Sequence, residues 1–167
     1  VLNSNLEEYE RLARMITDML FLAKADNGLI VTSREHIDLV SEVRDLFAFY
    51  EAFADEQQVA LVLSGNGHMT GDRLMMRRAL SNLLSNAIRH TPVRGAVRVA
   101  IAHDTDGQTR LTVETPGPTI PPEHLPRLFD RFYRGRDARA QGSGLGLAIV
   151  RDVARLHGGT TFIGDGP

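Results

Sequence analysis

Residues 81–92 read SNLLSNAIRHTP, which has the apolar spacing of an amphipathic helix that ends at a proline. Asn82, Asn86 and Arg89 are separated by four and then three residues, so they share one face of this helix. The apolar residues on its remaining faces are predicted to be buried: Leu80, Leu83, Leu84, Ala87 and Ile88.

The polar stripe of this helix needs a partner, because two amides and a guanidinium beside a core are unfavourable unless they are hydrogen-bonded. Mg²⁺ bound to a polyphosphate fits, since this ion prefers oxygen ligands and takes few of them from protein. Asn82 and Asn86 offer neutral oxygens, and Arg89 can clamp phosphate oxygens. The alternative, which these residues alone leave open, is a plain solvated face.

The segments that flank this helix have the patterns of further helices and short strands. Asp38 and Asp72 are predicted N-caps, Gly28 is a predicted left-handed C-cap, and Pro92 ends a helix. The expected helices cover 1–26, 39–55, 73–90 and 144–157, and the expected strands cover 36–39, 59–63, 97–101, 111–113 and 160–163, with turns at 65–67 and 104–107. This order predicts an α+β fold, a two-layer α/β sandwich with helices on one face of a mixed sheet, preceded by one long bundle helix.

The first helix has an unusually wide apolar face, built from two adjacent stripes. The stripes are Leu6, Tyr9, Ala13, Ile16, Leu20, Ala23 and Leu12, Met15, Met19, Leu22. A face this wide favours at least two neighbouring helices, as in a four-helix bundle, and hence an oligomerisation helix. Packing on its own domain is the alternative. For the second helix, the predicted buried face is Val40, Val43, Leu46, Phe47 and Phe53.

A second motif, QGSGLGLAIV at 141–150, places Gly142, Gly144 and Gly146 where a loop enters a helix. Glycines let backbone N–H groups approach an anion, and a helix N-terminus favours negative charge. No GK[ST] follows and no strand precedes, which excludes a Walker or Rossmann motif. A flexible glycine loop without a ligand is the alternative.

The segment before this loop is basic and aromatic. It contains Phe129, Phe132 and Tyr133 and a local balance of +3 from Arg127, Arg131, Arg134, Arg136 and Arg139 against Asp130 and Asp137. We interpret this segment as a mobile lid. Its aromatic residues would anchor it to the domain, and its arginines would face phosphates. A solvated basic loop is the alternative.

Composition excludes several classes of protein. The chain has 167 residues, no Cys and a net charge of −2, which rules out a disulfide scaffold, a thiolate zinc site and a Cys nucleophile. Lys24 is its only lysine, which argues against Schiff-base and P-loop mechanisms. The weak net charge and the lack of a long apolar run or signal peptide predict no nucleic-acid partner and no direct membrane contact.

Four motifs occur in one order: SNLLSNAIRHTP, ETPGPTIP, LPRLFDRFYR and GSGLGLAIV. Together they resemble the N box, first glycine box, F box and second glycine box of bacterial sensor histidine kinases, which share the Bergerat ATP-binding fold. The run PPEHLPRLFDRFYR most closely resembles the heavy-metal-sensing subset. The match spans roughly 82–159, and the ending DMLFLAKAD of the first helix resembles the second helix of the dimerisation bundle.

The resemblance implies that 1–28 is the second helix of the dimerisation bundle and that 33–167 is the ATP-binding catalytic domain. The activity would be a protein histidine kinase, transferring the γ-phosphoryl group of ATP to a histidine on a bundle helix absent from this chain. Its cofactors would be ATP and Mg²⁺. Its partners would be a second copy, through the bundle helix, and a cognate response regulator. The chain would be a cytoplasmic portion of an inner-membrane sensor.

The resemblance also assigns roles to residues. Asn86 would bind Mg²⁺ with Asn82 beside it, and Arg89 would contact phosphate in place of the more usual Lys. Phe129 and Phe132 would anchor the lid. The implied ATP contacts are Asn86, Arg89, His90, Thr115, Gly117, Ile120, Phe129, Phe132, Arg134, Gly142, Ser143, Gly144, Leu145 and Gly146.

The chain departs from the family pattern in three places. Thr115, Gly117 and Thr119 stand where the family has Asp-x-Gly-x-Gly, so the adenine amino group would meet a neutral hydroxyl in place of a carboxylate. None of the six histidines has the H-E-[LIF]-R-T-P context of a phosphoacceptor. We also expect the last strand of the family to be missing, which would leave an unpaired edge and disorder or intermolecular pairing near 158–167.

Two other functions remain open from the sequence. A Bergerat-type ATPase of the gyrase, Hsp90 or MutL kind usually has a Glu before the metal-binding Asn, whereas here Asn82 stands four residues before Asn86. A degenerate, nucleotide-free module that serves dimerisation or signalling is supported by Thr115 and Thr119.

Overall fold

The structure is a computed structural model that describes residues 2–135 and 142–164. The chain forms two compact units, one of Val1–Val31 with Ile120–Ile163 and one that includes Thr32–Thr119. The described elements are α1 (Leu2–Asp26), β1 (Glu35–Asp38), α2 (Leu39–Glu56), β2 (Ala60–Gly65), β3 (His68–Gly71), α3 (Arg73–His90), β4 (Ala96–His103), β5 (Thr109–Glu114), a 3₁₀ turn (Leu125–Arg127) and α4 (Gly146–Leu156).

The unit around Thr32–Thr119 contains a mixed sheet. Strand β2 pairs in parallel with β4, and β4 pairs antiparallel with β5. Strands β1 and β3 form a separate antiparallel pair. Both α2 and α3 pack against strands of the mixed sheet, which confirms the predicted sandwich of helices on a mixed sheet.

Side-chain caps set the helix boundaries in this unit. The Asp38 carboxylate accepts hydrogen bonds from the first backbone N–H groups of α2, and the Asp72 carboxylate accepts one from Met75 N at 3.1 Å. Each such cap contributes about 1 kcal/mol. Helix α3 ends where the Thr91 hydroxyl donates to the Ala87 carbonyl oxygen at 2.7 Å, one residue before Pro92. Both predicted N-caps are confirmed.

The core of this unit lies between the two helices and the sheet. Its fully buried side chains are Ile37, Leu39, Val43, Leu80, Leu84, Ile88, Val97 and Val99. On the predicted face of α2, Val43 and Leu46 are buried, and Val40, Phe47 and Phe53 are packed against the core but partly exposed. On α3, Leu80, Leu84, Ala87 and Ile88 are buried as predicted, and Leu83 is half-buried.

One strand prediction was wrong, and one strand was not predicted. Residues 160–163 form no strand in the described part of the chain, and Phe162 is exposed. Their β-branched and aromatic composition favours a strand, but a strand also needs a ladder partner, which composition does not supply. Strand β3 was missed because His68–Gly71 is short, has Met69 as its only large apolar residue, follows Gly67 and ends at Gly71. The expected disorder or intermolecular pairing near 158–167 stays a prediction, and residues 165–167 lie outside the described residues.

The other unit is built on two helices. Helix α1 packs against α4 near its C-terminal end, where Leu22 is buried, and Gly28 takes the predicted left-handed conformation (φ +64°) after the helix. Much of the predicted apolar face of α1 is exposed, by 44–70 %: Leu6, Tyr9, Leu12, Ile16, Met19 and Leu20. Among the described helices, none is long and apolar enough to cross a membrane.

Candidate functional site

Helix α3 carries the first group of predicted site residues. Asn82 and Asn86 are half-buried one turn apart, and Arg89 and His90 are exposed in the last turn. The buried stripe of Leu80, Leu84 and Ala87 occupies another face of the helix. The structure therefore puts two amides and a guanidinium along one side of a helix that the core holds in place.

The segment after β5 carries Thr115 and Gly117. Strand β5 packs against α3. Thr115 and Gly117 are exposed. A Cβ atom added to Gly117 would lie 4.0 Å from the His90 carbonyl oxygen and 4.0 Å from Pro92 Cδ. The segment predicted to meet adenine thus runs beside the C-terminal end of α3. Asn82, Asn86, Arg89, Thr115 and Gly117 all belong to one compact unit.

The glycine loop belongs to the other unit. Gly144 has φ +75° and accepts a hydrogen bond from Phe132 N through its carbonyl oxygen at 2.9 Å. A Cβ atom added there would lie 2.8 Å from Phe132 Cα, closer than side chains come. Ser143 Oγ accepts from Leu145 N at 3.3 Å, and α4 begins at Gly146. The close approach of Phe132 thus requires a glycine at position 144, whether or not the loop binds an anion.

Two arginines of the basic segment contact acidic and aromatic groups of their own unit. Arg131 Nη2 lies 2.7 Å from Asp26 Oδ1 and 3.8 Å from Asp152 Oδ2, so carboxylates surround it. The Arg127 guanidinium lies 4.6 Å from the centre of the Tyr133 ring and 3.7 Å from an Asp130 oxygen. Acidic and aromatic groups of the same unit contact these two arginines, and their orientation toward phosphates stays a prediction.

The remaining predicted residues of this segment lie at its surface. Phe129 is half-buried, whereas Phe132 is 53 % exposed and has φ +62°. Ile120 and Arg134 are exposed. Tyr133 hydrogen-bonds to His124 Nδ1. Arg136, Asp137 and Arg139 lie outside the described residues.

Sequence reasoning missed the residues that connect α2 to α3. Glu42 is only 5 % exposed, and its carboxylate lies 2.5 Å from Arg77 Nε and 3.2 Å from Arg73 Nε. The Tyr50 hydroxyl hydrogen-bonds to Ser81 Oγ at 2.5 Å, beside Asn82. The signal was present, since Glu42 interrupts an apolar face of α2 and two arginines stand one turn apart on α3.

The hydrogen bond with Glu42, followed by the charge of Glu42, raises the pKa of the Arg77 guanidinium above its ordinary value. Arginine is charged at ordinary pH, so the Glu42–Arg77 ion pair joins α2 to α3. It fixes the N-terminal half of α3, from which the Asn82 and Asn86 stripe continues.

The donor set suits Mg²⁺ with phosphate better than a site made of protein ligands alone. No group of three or more His, Cys, Asp or Glu side chains able to hold a metal occurs among the described residues. Neutral amide oxygens suit an ion that keeps several waters and binds substrate phosphates. Asn86 and Asn82 can supply such oxygens, and Arg89 can offset phosphate charge.

One groove in the described residues is unrelated to these groups. It has a volume of about 390 Å³ and lies between α2 and β2, where Phe47, Glu51, Asp55 and Leu61 line it. None of the predicted site residues lines this groove.

Comparison with known proteins places the chain in a family. Residues 71–167 match the family described as histidine kinase-, DNA gyrase B-, and HSP90-like ATPases. The chain is 49% identical over 167 residues to the sensor histidine kinase CusS of Escherichia coli O6:H1, covering 98% of this chain and 35% of that protein. It is 48% identical over 170 residues to the sensor protein CopS of Pseudomonas syringae pv. tomato, covering 99% and 35%.

A solved structure agrees with this placement. The structure of full-length ShkA in complex with AMPPNP has a TM-score of 0.80 and 25% identity, covering 91% of this chain and 32% of that chain. The chain spans about a third of the length of the curated relatives that it matches. The predicted resemblance to heavy-metal sensor kinases is confirmed. The chain belongs to the histidine kinase-, DNA gyrase B- and HSP90-like ATPase family, as an ATP-binding catalytic domain of its sensor histidine kinase branch.

Proposed function

We propose that this chain binds Mg-ATP and transfers the γ-phosphoryl group to a histidine on a bundle helix supplied from outside the chain. The observation that carries the proposal is the polar stripe of α3, where half-buried Asn82 and Asn86 lead to exposed Arg89. The near-50% identity with CusS supports it. No described feature favours the ATPase, and only Thr115 and Thr119 favour the nucleotide-free module.

Each residue of the stripe has a role in this proposal. Asn86 holds Mg²⁺ through its amide oxygen, Asn82 lies beside it, and Arg89 neutralises phosphate oxygens. When bound, Mg²⁺ offsets the negative charge of the phosphate oxygens. Catalysis in phosphoryl transfer is mostly positioning and charge neutralisation. The acceptor imidazole nitrogen forms a bond to the γ-phosphorus while the bond from that phosphorus to the bridging oxygen breaks, and ADP leaves.

The other predicted contacts hold the rest of the nucleotide. Thr115 accepts a hydrogen bond from the adenine amino group through its hydroxyl oxygen. Backbone N–H groups of the glycine loop and the first turn of α4 bind phosphate oxygens. The residues that complete the proposed ATP contacts are His90, Gly117, Ile120, Phe129, Phe132, Arg134, Gly142, Ser143, Gly144, Leu145 and Gly146.

The proposal includes two protein partners and a location. The exposed apolar residues of α1 would be covered in a homodimer bundle, because a wide apolar face needs neighbouring helices. A cognate response regulator would receive the phosphoryl group. The parent protein would be an inner-membrane sensor, with this chain on the cytoplasmic side.

Calorimetric titration of the chain with ATP, with and without Mg²⁺, tests nucleotide binding. We expect binding that strengthens with Mg²⁺ and that Asn86→Ala weakens, while Asn66→Ala in the turn after β2 leaves it unchanged. Absence of heat at every concentration would favour the nucleotide-free module. Steady release of inorganic phosphate by the chain alone would favour an ATPase.

A further inference from the structure

We propose that Arg131 is a positioning residue for the glycine loop and that Asp26, the last residue of α1, takes part in holding it. The inference rests on the proposed nucleotide binding, and it adds a connection between α1 and the glycine loop. All the residues involved belong to one compact unit.

Two carboxylates from different helices hold the Arg131 guanidinium. Its Nη2 atom donates to Asp26 Oδ1 of α1 at 2.7 Å, and Asp152 Oδ2 of α4 lies 3.8 Å away. Asp152 is only 8 % exposed, and Arg155 Nη1 lies 3.9 Å from its other oxygen. Because a buried carboxylate is unfavourable without cationic partners, Asp152 attracts the Arg131 guanidinium to this position, together with Arg155.

The residue after Arg131 contacts the glycine loop through its backbone. Phe132 has φ +62°, which is uncommon for a residue with a side chain, and such a conformation persists only where its surroundings hold it. Its N–H donates to the Gly144 carbonyl oxygen at 2.9 Å, and the two backbones lie too close for a Cβ atom at Gly144. Holding Arg131 therefore holds Phe132, and Phe132 sets the position of Gly144.

This contact lies immediately before α4. Gly144 is followed by Leu145 and by Gly146, the first residue of α4, so a shift of Gly144 moves the backbone N–H groups of the first turn. These groups bind phosphate in the proposed function. The contacts from Asp26 through Arg131 and Phe132 to Gly144 thus connect the end of α1 to the glycine loop.

The ion pair between Arg131 and Asp26 of α1 can break and re-form easily. The Arg131 and Asp26 side chains are 37% and 51% exposed, so water can replace either partner at low cost. The Asp152 contact lies deeper and would persist. A movement of the α1 end therefore changes nucleotide affinity modestly, whereas loss of Arg131 removes both contacts.

Titration of the chain with the fluorescent nucleotide trinitrophenyl-ATP and Mg²⁺ tests this. We expect Arg131→Met to weaken binding about tenfold, within the usual range of coupling between sites. Asp26→Asn should weaken it by about threefold, as for an exposed ion pair. The double variant should be no weaker than Arg131→Met, and Arg131→Lys should recover part of the loss. The matched controls are Arg11→Met and Glu8→Gln, an exposed α1 pair at 3.6 Å, which should leave affinity unchanged.

ADP distinguishes positioning from direct contact with the γ-phosphate. Positioning predicts that Arg131→Met weakens ADP and ATP to the same extent. If Arg131→Met weakens the binding of ATP but not of ADP, and Asp26→Asn tightens ATP binding, Arg131 contacts the phosphate itself and the inference is wrong. Affinities of Arg131→Met within twofold of the parent chain would also overturn it.

A second measurement needs no nucleotide. Amide hydrogen exchange should be faster at Phe132 in Arg131→Met, while the amides of α2 and α3 stay as protected as in the parent chain. Unchanged exchange at Phe132 contradicts the inference even if the parent chain binds no ATP. Absence of ATP binding with faster exchange at Phe132 contradicts only the proposed function.

Discussion

The Glu42 carboxylate of α2 lies 2.5 Å from Arg77 Nε of α3, and Glu42 is 5 % exposed. Arg73 approaches the other carboxylate oxygen at 3.2 Å, and Asp45 lies 2.8 Å from Arg77 Nη2. A buried charge is tolerated only when it is paired, so this cluster fixes α3 against α2. Because the site stripe continues along α3, the pair bears on both stability and binding.

Glu42→Ala should lower the free energy of unfolding by about 1–3 kcal/mol, because the arginines lose their acceptor and a buried site loses its side chain. Urea denaturation followed by circular dichroism measures the change. The control is Glu35→Ala, whose carboxylate lies 3.6 Å from Arg73 and is half-exposed, and which should cost less than about 0.5 kcal/mol. Equal effects of the two substitutions would contradict the role given to Glu42.

The contribution of Arg77 should not vary with pH near neutrality. Since folding raises the pKa of Arg77, its stabilisation is fully present below the unfolded pKa and is lost only as pH rises through the folded pKa. Both values lie above the working range. The stability difference between the parent chain and Arg77→Met should therefore be constant between about pH 6 and 9. A difference that decreases across this range would contradict the assignment.

Thr115→Asp should tighten ATP binding by about threefold to tenfold, because a charged acceptor forms a stronger hydrogen bond with the adenine amino group than a hydroxyl does. Titration with ATP and with GTP measures the effect, since GTP lacks that amino group and should not gain. Thr105→Asp, exposed in the hairpin between β4 and β5, adds the same charge elsewhere and is the control. A gain shared by GTP would show that Thr115 does not contact adenine.

Gly144→Ala should destabilise the loop by about 1–3 kcal/mol, because an alanine there must adopt a positive φ and would press on Phe132. We expect weaker nucleotide binding with little change in the helical signal. Gly135→Ala is the matched control, since an added Cβ there meets no atom within 4 Å. Parent-like binding by Gly144→Ala would show that this close approach is not needed.

The sequence predicted the helices of this fold well, because their boundaries depend on local chemistry. Asp38, Asp72 and Gly28 form the caps that their residue types favour, and the apolar spacing of α3 located its buried face. The alternating Val97, Val99 and Ile101 likewise identified the buried face of β4. These features can be read from a few neighbouring residues.

Other features depend on partners distant in sequence. Residues 160–163 have strand composition but no strand, because pairing is not a local property. Glu42 could be placed on α2 from the sequence, but its contacts with Arg73 and Arg77 require two helices to pack. The contacts of Arg131 with Asp26 and Asp152 could not be predicted either, because they join residues that are distant in sequence.

We propose that this chain transfers the γ-phosphoryl group of Mg-ATP to a histidine outside itself. The most direct measurement incubates the chain with γ-labelled ATP and a separately supplied bundle helix that contains the acceptor histidine. We predict acid-labile, alkali-stable label on that helix, none on this chain, and loss of the label with Asn86→Ala. Label on a histidine of this chain alone, or transfer that survives Asn86→Ala undiminished, would contradict the account.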